Sequence, residues 1–216
     1  MDERTGVFRV YRVVDAVPHI NLFDTEATRL YTVYQSGYGE RQPAVDDLRT
    51  GDLIEATLGG DPDDSEEAWS LLSFERLDRV AMDFAVDAEV PEVAADLWEP
   101  GLERPASAVL EENGEPVAEC FVQPRAPLPG GTFVPSVLTG LVPMESLLTD
   151  LPGIGEPPTD AIFIDPAPPD ADSYARPYGV AVLFTAAADD LLTEFRDRYD
   201  LSADADNRPE YDPYGL

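Results

Sequence analysis

"VFRVYRVVDAVPHINLFDTEATRLYTVYQ", residues 7–35, decides what the N-terminal part of this chain becomes. "VFRVYRVV" (7–14) is β-branched and aromatic, and "HINLF" (19–23) and "RLYTVYQ" (29–35) repeat that character on either side of an acidic turn at Asp24–Glu26. Such runs, bounded by turn residues, read as strands. Downstream of the loop "GYGERQPAVDDL", the segment "RTGDLIEATL" places Ile54, Ala56 and Leu58 in alternation with Glu55 and Thr57. That is the period of a strand with one wet face. "GGDPDDSEE" (59–67) is a turn, and "AWSLLSFERL" (68–77) returns as a fifth strand.

No helix-period segment interrupts these runs, so the expectation is a small closed or half-closed β-barrel of about five strands over residues 1–80. The Gly51–Asp52 pair that opens the fourth strand resembles the entry found in oligonucleotide-binding-type barrels. That resemblance implies a barrel that holds oligomers on its strands and loops.

Beyond residue 80 the character changes. "VPEVAADLWE" (90–99) reads as a short helix, with Pro91 near its start. In "SAVLEENGEPVAECFV" (107–122), Asn113–Gly114 between apolar segments is the mark of a two-residue hairpin of type I′. "QPRAPLPGGTFVPSVLTGLVP" (123–143) is rich in Pro and Gly and reads as irregular, and a further short helix follows at 143–151. "AIFI" (161–164) and "VAVLF" (180–184) read as strands. In the helix expected at 186–200, Leu191, Leu192, Phe195 and Tyr199 share one face, opposite Asp189, Asp190, Glu194 and Asp197. The fold class expected is α+β: a barrel at 1–80, an α+β region at 81–200 packed on it and closed by an amphipathic helix, and a mobile acidic tail at 201–216.

Charge bounds the setting. The chain has 44 acidic residues against 14 basic ones, every one of the latter Arg, for a formal net charge of −30. At physiological ionic strength the Debye length is about 8 Å, and such a charge opposes compaction; at 1 M salt it falls to about 3 Å. In composition the chain resembles the proteins of extremely halophilic archaea. That resemblance implies a potassium-rich cytoplasm, and it makes every acidic cluster a solubility device first. "MDERTGVF" carries no basic region followed by an apolar core, and no apolar run approaches a membrane span, so a cytoplasmic protein without membrane association is expected.

Several chemistries lack their residues. With one cysteine, Cys120, there is no disulfide framework, and with one histidine, His19, no transition-metal cluster. An EF-hand loop from Asp61 would need Gly at 66 and Glu at 72, where Glu66 and Leu72 stand. Neither a Walker motif nor a dinucleotide fingerprint is present. No cofactor and no metal is expected.

Two groups of residues remain as candidate sites. In "DPAPPDADSYARPYG" (165–179), Tyr174, Arg176 and Tyr178 alternate inside a proline-stiffened loop, and Arg125 stands near Gly130, Gly131 and Thr132. Together they could clamp a small anion by stacking and forked hydrogen bonds. Alternatively, Arg176 pairs with Asp170 or Asp172 and the tyrosines cap the core. On the barrel, Arg9 and Arg12 flank Tyr11, with Tyr31 on a neighbouring strand, an arrangement suited to stacking on bases. The reading favoured from sequence is a non-catalytic binding protein for RNA or a ribonucleoprotein particle. The alternatives are a protein–protein interaction module and an enzyme acting on a small anionic metabolite.

Overall fold

A computed structural model describes residues 2–62, 67–171, 173–203 and 205–211. The chain divides into two compact units: Met1–Arg79 together with Leu138–Gly140, and Val80–Val137 together with Leu141–Leu216.

The first unit is built from β1 (Asp2–Arg12), β2 (His19–Asp24), β3 (Arg29–Tyr34), β4 (Asp52–Gly60) and β5 (Ser70–Arg79), with one short helix, α1 (Gln42–Asp46). The strands form one antiparallel sheet in the order β3-β2-β1-β4-β5. Each connection has a local cause. Between β2 and β3, the Asp24 carboxylate accepts from the backbone N–H groups of Glu26 and Ala27, which fixes the turn. At the entry to β4, Gly51 takes a φ of +97°, a conformation glycine adopts without strain.

Of the closed or half-closed barrel expected, the closed form is not found. Five strands spaced about 4.8 Å apart in a flat sheet would hold the outer two about 19 Å apart. Here Val33 of β3 forms a parallel bridge with Trp69, the residue before β5. Tyr34 N–H donates to the Trp69 carbonyl at 2.9 Å, and Trp69 N–H to the Thr32 carbonyl at 2.8 Å. The sheet therefore curls until its edges touch, without forming a continuous ladder between β3 and β5. Its concave side buries Phe8, Val10, Ile20, Leu22, Val33, Ile54, Leu58 and Leu71, joined by Val45 of α1 and by Leu48. That burial is the main favourable term holding the unit together.

The second unit holds β6 (Ala81–Val86), β7 (Ala106–Glu112), β8 (Glu115–Pro124), β9 (Asp160–Asp165) and β10 (Tyr178–Phe184) in the order β6-β9-β10-β8-β7. Only β6 and β9 run parallel. Asn113 and Gly114 take φ values of +55° and +86°, as the turn between β7 and β8 requires. Four short helices accompany this sheet: α2 (Glu92–Leu97), α3 (Val134–Leu138), α4 (Glu145–Thr149) and α5 (Asp189–Arg198).

Every residue of the central strand β10 is buried, because both faces of the sheet are covered. On one face Cys120, Val122, Ile162, Ile164, Val180 and Val182 meet Ala94 of α2 and Leu192 and Phe195 of α5. On the other, Phe163 lies between Phe84 and Phe133, at ring-centre distances of 5.4 and 6.3 Å. The approach is close: a Cβ on Gly179 would stand 2.1 Å from a ring carbon of Phe133.

Leu201 packs against the core, and Asn207 donates to Asp83 at 2.6 Å, so these two residues of the segment expected as a tail have defined partners. Residues 204 and 212–216 of that segment, Tyr214 among them, lie outside the described residues, as does Asp172.

Candidate functional site

The loop from Asp165 to Tyr178 joins β9 to β10, and Arg125 follows directly on β8, which pairs with β10. The register sets Tyr178 opposite Pro124, so the backbone N–H of Arg125 donates to the Pro177 carbonyl at 2.9 Å. The Arg125 guanidinium then folds inward and is buried. Its Nη2 pairs with Asp165 Oδ1, its Nε donates to the Arg176 carbonyl at 2.9 Å, and its Nη1 to the Gly131 carbonyl at 3.0 Å. The Tyr174 ring covers the guanidinium, with Cζ 3.9 Å from the ring centre. Asp165 also accepts from the backbone N–H groups of Ala167 at 3.1 Å and Val134 at 3.3 Å.

This network corrects the expected anion clamp. The Arg125 fork is committed to two carbonyls and a carboxylate, so it has no open face for a metabolite. Tyr178 is buried and stacks on Trp98 with ring centres 4.8 Å apart. Only Arg176 projects to solvent, and among the described residues its side chain has no ion-pair partner. The expected pairing of Arg176 with Asp170 is therefore not formed, and Asp172 is outside the described residues.

The surface reading of Arg9, Tyr11 and Arg12 is corrected in the same way, since their relative exposures are 3%, 2% and 8%. Arg9 donates to the Gly51 carbonyl at 2.9 Å, and Arg12 to those of Asp46 and Leu48 at 3.0 and 2.9 Å. Both arginines hold the loop that leads into β4. Tyr11 lies under Gly140, where an added Cβ would come within 2.9 Å of its ring. Tyr31 points into the core, at 5.3 Å from the Trp69 ring.

Of the remaining buried carboxylates, Glu119 accepts from the Gly153 backbone N–H at 2.9 Å, and two others are ion-paired. Asp52, fully buried, takes Arg79 and Arg76. Asp83 on β6 accepts from Arg196 of α5 at 3.0 Å, and the same guanidinium reaches Asp160 at 2.8 Å. Burial pushes the Cys120 thiol up to about 12, which removes it as a nucleophile near neutral pH. Among the described residues no buried side-chain nitrogen or oxygen lacks a hydrogen-bond partner.

On the first sheet the outer side of the β2–β3 hairpin is partly accessible, as is the later part of β5. His19 stands opposite Tyr34, and Asn21 opposite Thr32. The rings of His19 and Tyr34 are 5.8 Å apart and inclined at 44°, and Tyr34 is 37% exposed. Thr32 donates to Asn21 Oδ1 at 3.2 Å, while Asn21 Nδ2 donates to the Thr139 carbonyl at 3.0 Å. Leu138–Gly140 thus lies over the middle of this sheet and leaves the His19–Tyr34 end open. The sequence reading missed this pair. Its signal is the turn itself, because closing the hairpin at Asp24 and Arg29 sets His19 against Tyr34 five residues back on each strand.

No family model, no curated protein and no solved structure matches this chain.

Proposed function

We propose that this chain is a non-catalytic binding protein of a potassium-rich cytoplasm, and that it recognises single-stranded RNA through the open end of the β2–β3 hairpin. The observation that carries this reading is the His19–Tyr34 ring pair, half-buried at His19 and exposed at Tyr34, on a curled five-stranded sheet. Aromatic side chains on such a surface stack on bases of any sequence. The hydroxyl of Thr32, next to the pair on the same face, adds a hydrogen-bonding group.

The −30 charge argues against a phosphate-led mode of binding, which needs a basic face. At molar salt counterion release contributes little, and base stacking carries the affinity. The commitment of the buried arginines and carboxylates to internal partners supports a binding role over catalysis. In keeping with the absence of a spanning signal, no described helix is long and apolar enough to cross a membrane.

The test is anisotropy of labelled U-rich and A-rich oligonucleotides in concentrated potassium chloride. Binding is expected, with Tyr34→Ala weakening it about tenfold, as loss of one stack of about 1–3 kcal/mol requires. Tyr174→Ala, remote in sequence and packed on the Arg125 guanidinium, should leave it unchanged. No anisotropy change with the native chain, or equal affinity in Tyr34→Ala, removes the RNA reading.

A further inference from the structure

A sheet edge offers unpaired backbone groups to any other strand, and proteins usually blunt it. Three of the four edges in this chain are blunted. The edge of β3 is bridged to Trp69 through Val33. Along β5, Arg41 donates to the carbonyls of Leu71 and Leu72, and the later part carries Glu75, Arg76, Asp78 and Arg79 around an irregularity in its pairing with β4. On β6, the run Met82–Ala85 is buried.

The edge strand β7 has none of these devices along its run 106–110, its charges Glu111 and Glu112 standing at the far end. It pairs with β8 only, and among the described residues no other backbone hydrogen bond reaches Ala106–Glu112. Residues 106–110, "ASAVL", carry no charge, and Val109 is 36% exposed. The strand is also regular. The register shift beside Leu110 comes from an extra residue on β8, so alternation along β7 is unbroken, with Ser107, Val109 and Glu111 outward and Ala106, Ala108 and Leu110 partly covered.

We propose that β7 is a homodimer interface: two copies join these edges antiparallel about a two-fold axis at Ala108, making one sheet continuous across both chains. The register follows from charge. Antiparallel pairing centred on Ala108 sets Ala106 opposite Leu110 of the second copy and Ser107 opposite its Val109, each matched in face. The same register brings Arg104 opposite Glu112 of the second copy, and symmetry repeats that pair at the other end. Neither Arg104 nor Glu112 has an ion-pair partner among the described residues, so both are available. A shift by two residues, the smallest that keeps the faces matched, would set Glu112 opposite Ala106 or Leu102 and leave both charges without a partner. A two-fold contact of this kind is closed, so it ends at a dimer instead of a fibre. This inference is independent of the RNA reading, since β7 lies in the other unit.

The experiment is light scattering on size-separated protein across a concentration series in concentrated potassium chloride. The expected mass is twice the 23.6 kDa of one chain. Glu112→Arg should raise the dissociation constant several-fold, and Arg104→Glu added to it should restore the native value. A cross-link fixes the register: Ala108→Cys oxidises to a covalent dimer, in a Cys120→Ala background because Cys120 faces Ala108 across the β7–β8 pair. A monomer at every concentration overturns the proposal. So does a dimer that neither responds to the charge exchange nor cross-links at residue 108.

Discussion

Arg125 Nη2 and Asp165 Oδ1 meet at 2.5 Å, with side-chain exposures of 6% and 2%, and this pair ties the end of β8 to the end of β9 across the intervening β10. It organises the loop that follows β9: Arg176 contributes a carbonyl to it, Gly131 another, and Tyr174 a ring face. Removing one member strands the other in a dry site, which costs more than the pair itself contributes. Arg125→Met should therefore destabilise the native state by about 3–5 kcal/mol. Replacing both residues with apolar ones of similar volume should recover much of that loss. Denaturant titration in concentrated potassium chloride measures both, and a near-neutral single variant would contradict the assignment.

Cys120 gives a pH signature. Its thiol is pushed up to about 12 in the folded chain by desolvation, against an ordinary value of 9.0. Above pH 9 the unfolded chain releases this proton while the folded chain keeps it, so the Cys120 contribution to stability falls as pH rises towards 12. The slope is at most about 1.4 kcal/mol per pH unit. Below pH 9 the group contributes no pH dependence. A thiol reagent at pH 8 should modify the denatured chain quickly and the native one only through opening; rapid labelling of native protein would refute the buried placement.

Gly179 sits where the sheet presses on Phe133, leaving no room for a methyl group. Gly179→Ala should force Phe133 away from Phe163 and cost about 1–3 kcal/mol, the usual range for overpacking. The partner variant Phe133→Leu should reduce the penalty of the alanine, and strict additivity of the two would show that they do not touch.

Folding should require salt. The charge of −30 is screened within about 3 Å at 1 M and much less well at low ionic strength. Circular dichroism during dilution of potassium chloride should show cooperative loss of structure, with the midpoint moving to lower salt at acidic pH as carboxylates neutralise. Equal stability at low and high salt would overturn this.

Much of the fold was legible because its signals are local. The alternation of Ile54, Ala56 and Leu58, the hairpin turn at Asn113–Gly114 and the run at 180–184 correspond to β4, the β7–β8 turn and β10. The helix α3 and strand β6 were not legible. Val134–Leu138 is short and lies in a Pro- and Gly-rich region, and β6 is buried from Met82 to Ala85, so neither shows an amphipathic period. The site reading failed for a different reason. Arg9, Tyr11, Arg12 and Arg125 are polar residues in a polar-looking pattern, yet each is turned inward by carbonyls, rings or a carboxylate distant in sequence. Burial of a guanidinium depends on such partners, and no window of neighbouring residues contains them.

The two tryptophans fall one to each unit, with different neighbours. Trp69 closes the seam of the first sheet beside Tyr31, and Trp98 stacks on Tyr178 in the second unit. Each half of the molecule thus carries its own built-in optical reporter. With Trp98→Phe, indole emission would follow the seam alone, and with Trp69→Phe it would follow the region around Tyr178. Emission curves from the two single-tryptophan proteins, overlaid, would reveal whether the halves melt in one event or in succession.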